Sequence, residues 1–172
     1  MADPIENIPI PDTPPSGSGA KSSAMAGIAA IKAACDAAGL KSKYAKCAFL
    51  AIAGTESKWD FSAEENYNYT EKTLLSGMFK NVTAEEASKY GSPSKKGISR
   101  TEFFGWLYGT NRGLTPAEGN YYGRGFIQLT FQGAYKTVGN KLGVDLLTNP
   151  ELVIQSAEFG AKVGVELSLI HI

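Results

Sequence analysis

Three glutamates in one short stretch of the sequence could supply acid–base chemistry. Glu56 follows an apolar run over residues 47–54, whereas Glu64 and Glu65 lie in a more polar segment. Hydrolysis of a glycosidic bond uses two carboxyl groups in unlike surroundings, one protonated and one ionised. Partly dry surroundings at the end of an apolar helix would favour the protonated form of Glu56, and a polar loop would keep Glu64 or Glu65 ionised. The pattern alone is weak, because a glutamate at a helix end often only caps or pairs.

The remaining reactive residues weigh against other hydrolytic chemistries. The one histidine of the sequence, His171, is next to the last residue, and the two cysteines, Cys35 and Cys47, are distant from it. A serine–histidine, cysteine–histidine or zinc site would need such residues to converge. We therefore expect carboxylates as catalytic groups and no bound metal. Without a secretory signal, we interpret the cysteines as two buried free thiols.

Composition and charge are those of an ordinary globular protein. The 172 residues suffice for one domain, and 43% of them are hydrophobic. Seventeen basic residues balance seventeen acidic ones without a basic stripe, so nucleic acid is not an expected partner. No stretch approaches the roughly 20 apolar residues of a spanning helix, and the N-terminus has no basic start followed by an apolar run. We expect no membrane insertion and no signal peptide.

The chain divides into a tail and one domain. Residues 1–21 contain five prolines and a Ser/Gly run, which predicts a flexible tail or linker, followed by a domain over residues 22–172. In the first two predicted helices, Met25, Tyr44 and Ile52 are among the apolar residues expected to pack inward. Periodicity, caps and breakers predict helices over residues 22–38, 43–56, 70–79, 83–90, 99–108, 132–142 and 150–167. Because the sequence shows little of the alternating apolar and polar pattern of β-strands, this set of helices predicts a mainly α fold.

Three sequence blocks occur in a fixed order. Glu56 is followed by ENYNY at residues 65–69 and LLSGMF at residues 74–79. YYGRGFIQLT at residues 121–130 is followed by Tyr135, and LGVDLLTNPELV occupies residues 142–153. The ordered set resembles glycoside hydrolase family 19, with its YYGRGPIQLS and GVDLLxNPDLV signatures. The ENYNY block is closest in style to the phage endolysin branch, whose members carry an ENLNYS-like stretch.

The resemblance implies a fold, an activity and a catalytic set. The fold is a mainly α, two-lobed lysozyme-like fold with a substrate groove between the lobes. The activity is cleavage of β-1,4 bonds in N-acetylhexosamine polymers, with inversion and without a cofactor. Glu56 would be the general acid and Glu65 the general base, with Glu64 as the less favoured second carboxylate. Thr130 falls where the family helps to hold the attacking water.

The resemblance also implies substrate-binding residues. Gln128 falls on a residue that hydrogen-bonds the sugar or orients the catalytic groups. Arg124 is expected to brace the carboxylates or the loop more than to touch substrate. Further binding residues, which offer rings and polar groups to the sugar, are expected at Tyr121, Tyr122, Tyr135, Tyr67 and Asn68.

The resemblance to the phage endolysin branch also implies a substrate and a route of delivery. Peptidoglycan is the favoured substrate, and chitin, which has the same linkage, is the alternative. An enzyme of this kind would stay in the host cytoplasm before release to the wall, or travel with the virion. A holin, virion components or a longer parent chain would deliver it. Beyond Phe159 the sequence does not resemble the Trp-bearing helix of the family, so we expect a truncated or unrelated C-terminal end.

Two other functions are compatible with the sequence. Residues 56–63, ESKWDFSA, resemble the ESxFxPxA start of lytic transglycosylases, which use one glutamate and no water. Thr55 stands where many relatives have a histidine, and Ala134 where they have an asparagine. These departures leave open a non-catalytic wall-binding or structural virion module.

Overall fold

The regular structure of the protein is helical in a computed structural model that describes residues 9–170. The α-helices in this range are Ala24–Ala37 (α1), Lys43–Ser57 (α2), Glu71–Leu74 (α3), Ala84–Tyr90 (α4), Arg100–Phe104 (α5), Gln132–Leu142 (α6) and Ala157–Ile170 (α7). Shorter 3₁₀ turns cover Pro93–Lys96, Thr110–Arg112, Glu118–Asn120 and Pro150–Ile154, and a π-helical turn covers Gly105–Gly109. The mainly α prediction is confirmed.

The described chain forms two compact units, and the second interrupts the first in sequence. Unit 1 consists of residues 9–64 and 123–170, and unit 2 consists of residues 65–122. Unit 1 contains α1, α2, α6 and α7, with α1 packed along α7. Its core brings together residues from both sequence segments, including Ile28, Ile31, Phe49, Leu50, Trp59, Phe126 and Val165.

Trp59 holds the end of α2 in the core of unit 1. The helix ends where Lys58 and Trp59 both adopt left-handed backbone conformations, with φ of 56° and 58°. This reversal returns the indole to α2, where its Nε1 donates to the Leu50 carbonyl at 2.8 Å. A Cβ on Gly54 would lie 2.4 Å from the ring, and one on Gly27 would lie 2.1 Å from the Trp59 carbonyl oxygen. Both helices therefore need glycine where they meet this residue.

Unit 2 is built around an aromatic core. Phe103 and Phe104 are fully buried, and the rings of Tyr90 and Trp106 stack with centroids 4.0 Å apart. Thr83 forms a capping box at the start of α4, because its hydroxyl accepts from the Glu86 N–H while the Glu86 carboxylate accepts from the Thr83 N–H. Phe103 of α5 also contacts the rings of Tyr67 and Tyr69, in the segment that follows Glu65.

Two predicted helices of unit 2 end early. The helix predicted over residues 70–79 stops at Leu74, because the chain turns at Gly77, which has a φ of 84°. The helix predicted over residues 99–108 is α-helical only to Phe104. The chain then continues as the π-helical turn Gly105–Gly109. Gly109 lies so close to the main chain of Thr115 that a Cβ on Gly109 would be 2.4 Å from the Thr115 carbonyl oxygen. Tertiary packing overrides the local helical pattern in this region.

The last predicted helix is divided. The segment predicted over residues 150–167 forms the 3₁₀ turn Pro150–Ile154 and then α7. The hydroxyl of Ser156 accepts from the Phe159 N–H at 3.1 Å, as an N-cap does, and so starts a new helix.

Some residues expected to pack inward face solvent instead. Met25 is 58% exposed, and Tyr44 and Ile52 are each 49% exposed. These predictions are wrong because both helices bury only one face, which in α2 carries Phe49 and Leu50. Ile52 lines a cleft of unit 1.

The cysteines are free thiols in different surroundings. Cys35 is buried and Cys47 is half-buried. Burial raises the pKa of the Cys35 thiol above its ordinary value, although the nearby Lys46 acts in the opposite direction. The expectation of free thiols is confirmed, whereas full burial holds for Cys35 alone.

The described part of the predicted tail lies against unit 1. Ile10 and Ala20 pack on its core, and ion pairs join Asp12 to Lys32 and Lys21 to Asp60. The boundary at residue 21 stays a prediction. No helix within residues 9–170 has both the length and the hydropathy to cross a membrane, and His171 lies outside the described residues.

Candidate active site

Glu56 lies in the last turn of α2 and is exposed. The expectation of partly dry surroundings is wrong, because the buried face of the helix is formed by Leu50, Ala53 and Ser57. Glu56 projects from the other face, one turn after the exposed Ile52. The carboxyl group is thus accessible to a polymer in solvent.

Glu56 and Gln128 line the same cleft of unit 1. The cleft has a volume of about 500 Å³, and most of its wall is apolar, with Phe49, Ile52 and Ile127 among its residues. The sequence placed Glu56 and Gln128 in one site although 72 positions separate them, and unit 1 brings them to one surface. An apolar cleft with a few polar groups is a common form of ligand site.

The loop that carries Gln128 and Thr130 is closed by its own hydrogen bonds. Arg124 and Leu129 exchange main-chain hydrogen bonds of 3.2 and 2.9 Å. Gln128 adopts a left-handed conformation with a φ of 50°, and its Nε2 donates to the Gly125 carbonyl at 3.0 Å. The Thr130 hydroxyl donates to the Gln128 carbonyl at 2.7 Å. Its oxygen can still accept, which is what holding a water molecule requires.

Arg124 acts as an internal brace in unit 1. Its side chain is 4% exposed, its Nη1 donates to the Tyr135 hydroxyl at 3.0 Å, and its Nε lies 3.9 Å from the Glu64 carboxylate. The Gly125 N–H donates to the Ala63 carbonyl at 2.8 Å alongside. These contacts accord with the bracing role expected of Arg124 and commit Glu64 to an internal ion pair.

Tyr135 is inside the protein. It has no exposed surface, so the prediction that its ring lines a groove is wrong. The reason is its bond to Arg124, which draws the tyrosine inward from the first turn of α6.

In unit 2, Tyr122 is 5% exposed and stacks on Phe104 with centroids 4.7 Å apart, and Tyr121 is 9% exposed. Both offer little ring surface to a sugar.

Glu65 is held by two residues of unit 2 that the sequence did not single out. The Tyr108 hydroxyl donates to Glu65 Oε1 at 2.5 Å, and Arg100 Nη1 donates to the Glu65 carbonyl, also at 2.5 Å. Burial, followed by the hydrogen bond and charge of Glu65, raises the pKa of Tyr108 far above its ordinary value. Tyr108 therefore stays a donor to the carboxylate.

The segment after Glu65 is fixed along its length. Tyr67 is half-buried beneath the Arg100 guanidinium, which lies 5.0 Å from the ring centroid. The exposed Asn68 accepts a hydrogen bond from the Ser94 hydroxyl through Oδ1. This amide is engaged with its own unit, and the part of Tyr67 that remains exposed is the surface available to a ligand.

Tyr108 and Arg100 had no distinctive signal in the sequence. Both lie in the segment from 99 to 108, whose phenylalanines and tryptophan are typical of a core helix. Among residues 9–170, no group of three or more histidine, cysteine or acidic side chains is arranged to hold a metal ion.

Comparison with known proteins gives one family and several partial relatives. The glycoside hydrolase family 19 model, described as class I chitinase, matches residues 23–167. Chitinase 8 of Oryza sativa subsp. japonica is 36% identical over 92 residues, which is 49% of this chain and 34% of that protein. Chitinase 11 of the same rice is 48% identical over 50 residues, 29% of this chain and 20% of that protein.

A third relative gives a similarly short match. Basic endochitinase B of Arabidopsis thaliana is 44% identical over 45 residues, 26% of this chain and 13% of that protein. The matches to these three relatives thus span no more than 34% of the relatives' own lengths.

Proposed function

Because the chain belongs to glycoside hydrolase family 19, we propose that it hydrolyses β-1,4 bonds of N-acetylhexosamine polymers with Glu56 as the general acid. The observation that carries the proposal is the exposed Glu56 carboxyl at a cleft that it lines together with Gln128. A carboxyl that protonates a glycosidic oxygen must be reachable by a polymer, and this one is.

The proposed reaction is a single displacement. Glu56 gives its proton to the glycosidic oxygen as the bond from that oxygen to the anomeric carbon breaks. A water molecule attacks the anomeric carbon from the opposite face and gives its proton to the second carboxylate. Thr130 accepts a hydrogen bond from that water, since its own hydrogen is given to the Gln128 carbonyl. The product has inverted configuration.

Glu65 is the better candidate for the second carboxylate. Glu64 faces the buried Arg124 at 3.9 Å, so its charge already neutralises an internal cation. The Glu65 carboxylate instead accepts from Tyr108, a neutral donor that orients it without cancelling its charge. An oriented and ionised carboxylate is what a general base requires.

Two observations bear on the polymer. The partial relatives are named as chitinases, which supports chitin. The ENYNY segment over residues 65–69 resembles the endolysin branch, which supports peptidoglycan as the second candidate. For that substrate the proposal includes delivery to the wall by a holin or by virion components.

The test is a paired assay on glycol chitin and purified peptidoglycan, with mass spectrometry of the products. We expect reducing ends and, by NMR, initial products of inverted configuration. Glu56→Gln should remove activity, and the matched control Glu85→Gln, an exposed glutamate of α4, should retain it. Anhydro-sugar ends would establish a transglycosylase instead. Binding of either polymer without cleavage would support a wall-binding module.

A further inference from the structure

Unit 2 contains a second cleft, of about 470 Å³, beside Tyr108. One wall is the turn with Phe79, Lys80 and Asn81, and the other carries Tyr108 and Arg112. Asn111 joins the walls, because its Nδ2 donates to the Lys80 main-chain carbonyl at 2.9 Å. Asn81 has a φ of 63°, so the turn that shapes the cleft departs from ordinary backbone geometry.

Both charged side chains that line this cleft are cations. Lys80 and Arg112 are exposed cations at its wall, and no aspartate or glutamate is among the described residues that line it. The Arg112 guanidinium lies 5.2 Å from the centroid of the Tyr108 ring, a cation–π arrangement that fixes its position. A ligand group with a carboxylate and some apolar surface would fit these walls.

The position of the cleft relates it to Glu65. Tyr108 borders the cleft and also donates its hydroxyl hydrogen to Glu65. A substituent bound in the cleft would therefore be one side chain away from the carboxylate proposed as general base. Chitin carries no anionic substituent, whereas each peptide-bearing muramic acid of peptidoglycan carries free carboxylates on its stem peptide.

We propose that this cleft binds a carboxylate of the stem peptide of peptidoglycan, through Lys80 and Arg112. The inference rests on the proposed function, and within it selects peptidoglycan as the substrate class. Two exposed cations could otherwise be an ordinary solvated surface, so the test must separate charge in general from recognition of the peptide.

Binding is measured on Glu56→Gln protein, so that cleavage plays no part. The probes are a soluble N-acetylglucosaminyl-N-acetylmuramyl tetrapeptide and N,N′-diacetylchitobiose, a neutral disaccharide with the same linkage and no carboxylate, titrated by NMR. We expect Lys80→Gln/Arg112→Gln to weaken tetrapeptide binding about three- to tenfold and to leave disaccharide binding unchanged. Lys80→Arg/Arg112→Lys should retain binding, because it keeps both charges.

Two further variants control for structure and general charge. Lys80→Gln alone should cause part of the loss and leave the Asn111 bond in place, since that bond uses the Lys80 main chain. Lys95→Gln, an exposed lysine of the 3₁₀ turn Pro93–Lys96, should have no effect. Added salt should reduce the preference for the tetrapeptide.

The outcomes separate this inference from the proposed function. Equal affinity of the Glu56→Gln protein for both probes, or no change in Lys80→Gln/Arg112→Gln, would overturn the cleft proposal even if both polymers are cleaved. Peptide-dependent binding through these cations, combined with no cleavage of either polymer by the native chain, would support the cleft and overturn the glycosidase.

Discussion

The hydroxyl of Tyr108 donates to a carboxylate oxygen of Glu65 at 2.5 Å, although 43 positions separate the two residues. This bond orients the carboxylate that we propose as the general base. Arg100 fixes the main chain of the same residue through its carbonyl. The geometry of Glu65 therefore depends on α5 and the turn that follows it.

Tyr108→Phe removes the donor and keeps the ring. We expect kcat/KM to fall about tenfold with little change in KM, because the carboxylate loses its orientation and not a substrate contact. Steady-state kinetics of the native and variant proteins measure kcat and KM separately. An unchanged kcat/KM with a lower melting temperature would mean that the bond is only structural.

Substitution of the two adjacent glutamates should have different consequences. Glu65→Gln should lower kcat by about 100-fold or more, as expected for loss of a general base. Glu64→Gln should keep activity within about twofold and lower stability, because Arg124 loses its charged neighbour. Measurements of activity and of urea unfolding for both variants test which glutamate is the general base and which one stabilises the fold. The opposite pattern would make Glu64 the catalytic residue.

Tyr135→Phe tests whether this tyrosine supports the fold or contacts substrate. Removal of its hydroxyl leaves Arg124 with one acceptor fewer, and we expect a loss of about 1–3 kcal/mol in unfolding free energy. KM for oligosaccharides should not change, since the side chain has no exposed surface. A raised KM with unchanged stability would restore the groove-lining role expected from the sequence.

Asp60 should make stability depend on acid pH. Burial by itself would raise its pKa, but hydrogen bonds from Lys21 and Ser62 outweigh burial and hold the pKa below the ordinary 3.8. A lowered folded-state pKa stabilises the protein at pH values above 3.8 and loses this effect as the pH falls through the folded value. Asp60→Asn should cost about 1–3 kcal/mol at neutral pH, and the cost should shrink in acid. Urea unfolding of both proteins from pH 7 to 3 measures the difference, and a constant difference would contradict it.

Gly54 and Gly133 offer a matched pair of glycine-to-alanine changes. A Cβ on Gly54 would lie 2.4 Å from the Trp59 ring, and we expect Gly54→Ala to destabilise by about 1–3 kcal/mol. Apart from its chain neighbours and the backbone of its own helix, no atom lies within 4 Å of a Cβ on Gly133, in the first turn of α6. Gly133→Ala should be neutral or stabilise by up to about 1 kcal/mol. Thermal unfolding compares them, and equal effects would show that Trp59 yields to the added methyl group.

Local signals account for the parts of the fold that the sequence predicted. The helix over residues 132–142 has the predicted ends, and Gly143 follows it with a φ of 66° as a C-terminal cap. The capping box at Thr83 is likewise formed by residues three apart. By contrast, the turn at Gly109 depends on packing against Thr115. The helical pattern before it carries no information about that contact.

The residues of the candidate site could be predicted from the sequence, whereas their exposure and their hydrogen-bond partners could not. Glu56 and Gln128 share a cleft as the ordered motifs implied. The exposure of Glu56 depends on which face of α2 is buried, and the sequence of one helix does not determine that face when both sides are rich in apolar residues. The bond between Tyr108 and Glu65 joins distant positions through one hydroxyl, for which neither periodicity nor spacing gives a signal.

The insertion of unit 2 between the segments of unit 1 has a consequence for the order of folding. The first segment carries α1, whose most extensive packing is along α7 of the second segment, so α1 cannot complete its packing until α7 has been synthesised. Unit 2 is continuous in sequence and can form earlier. Once folded, it shortens the loop that must close before the Gly125 N–H meets the Ala63 carbonyl, and loop closure costs less entropy for shorter loops. We therefore expect unit 2 to promote the folding of unit 1. During refolding, the amide hydrogens of residues 65–122 should become protected from exchange before those of α1.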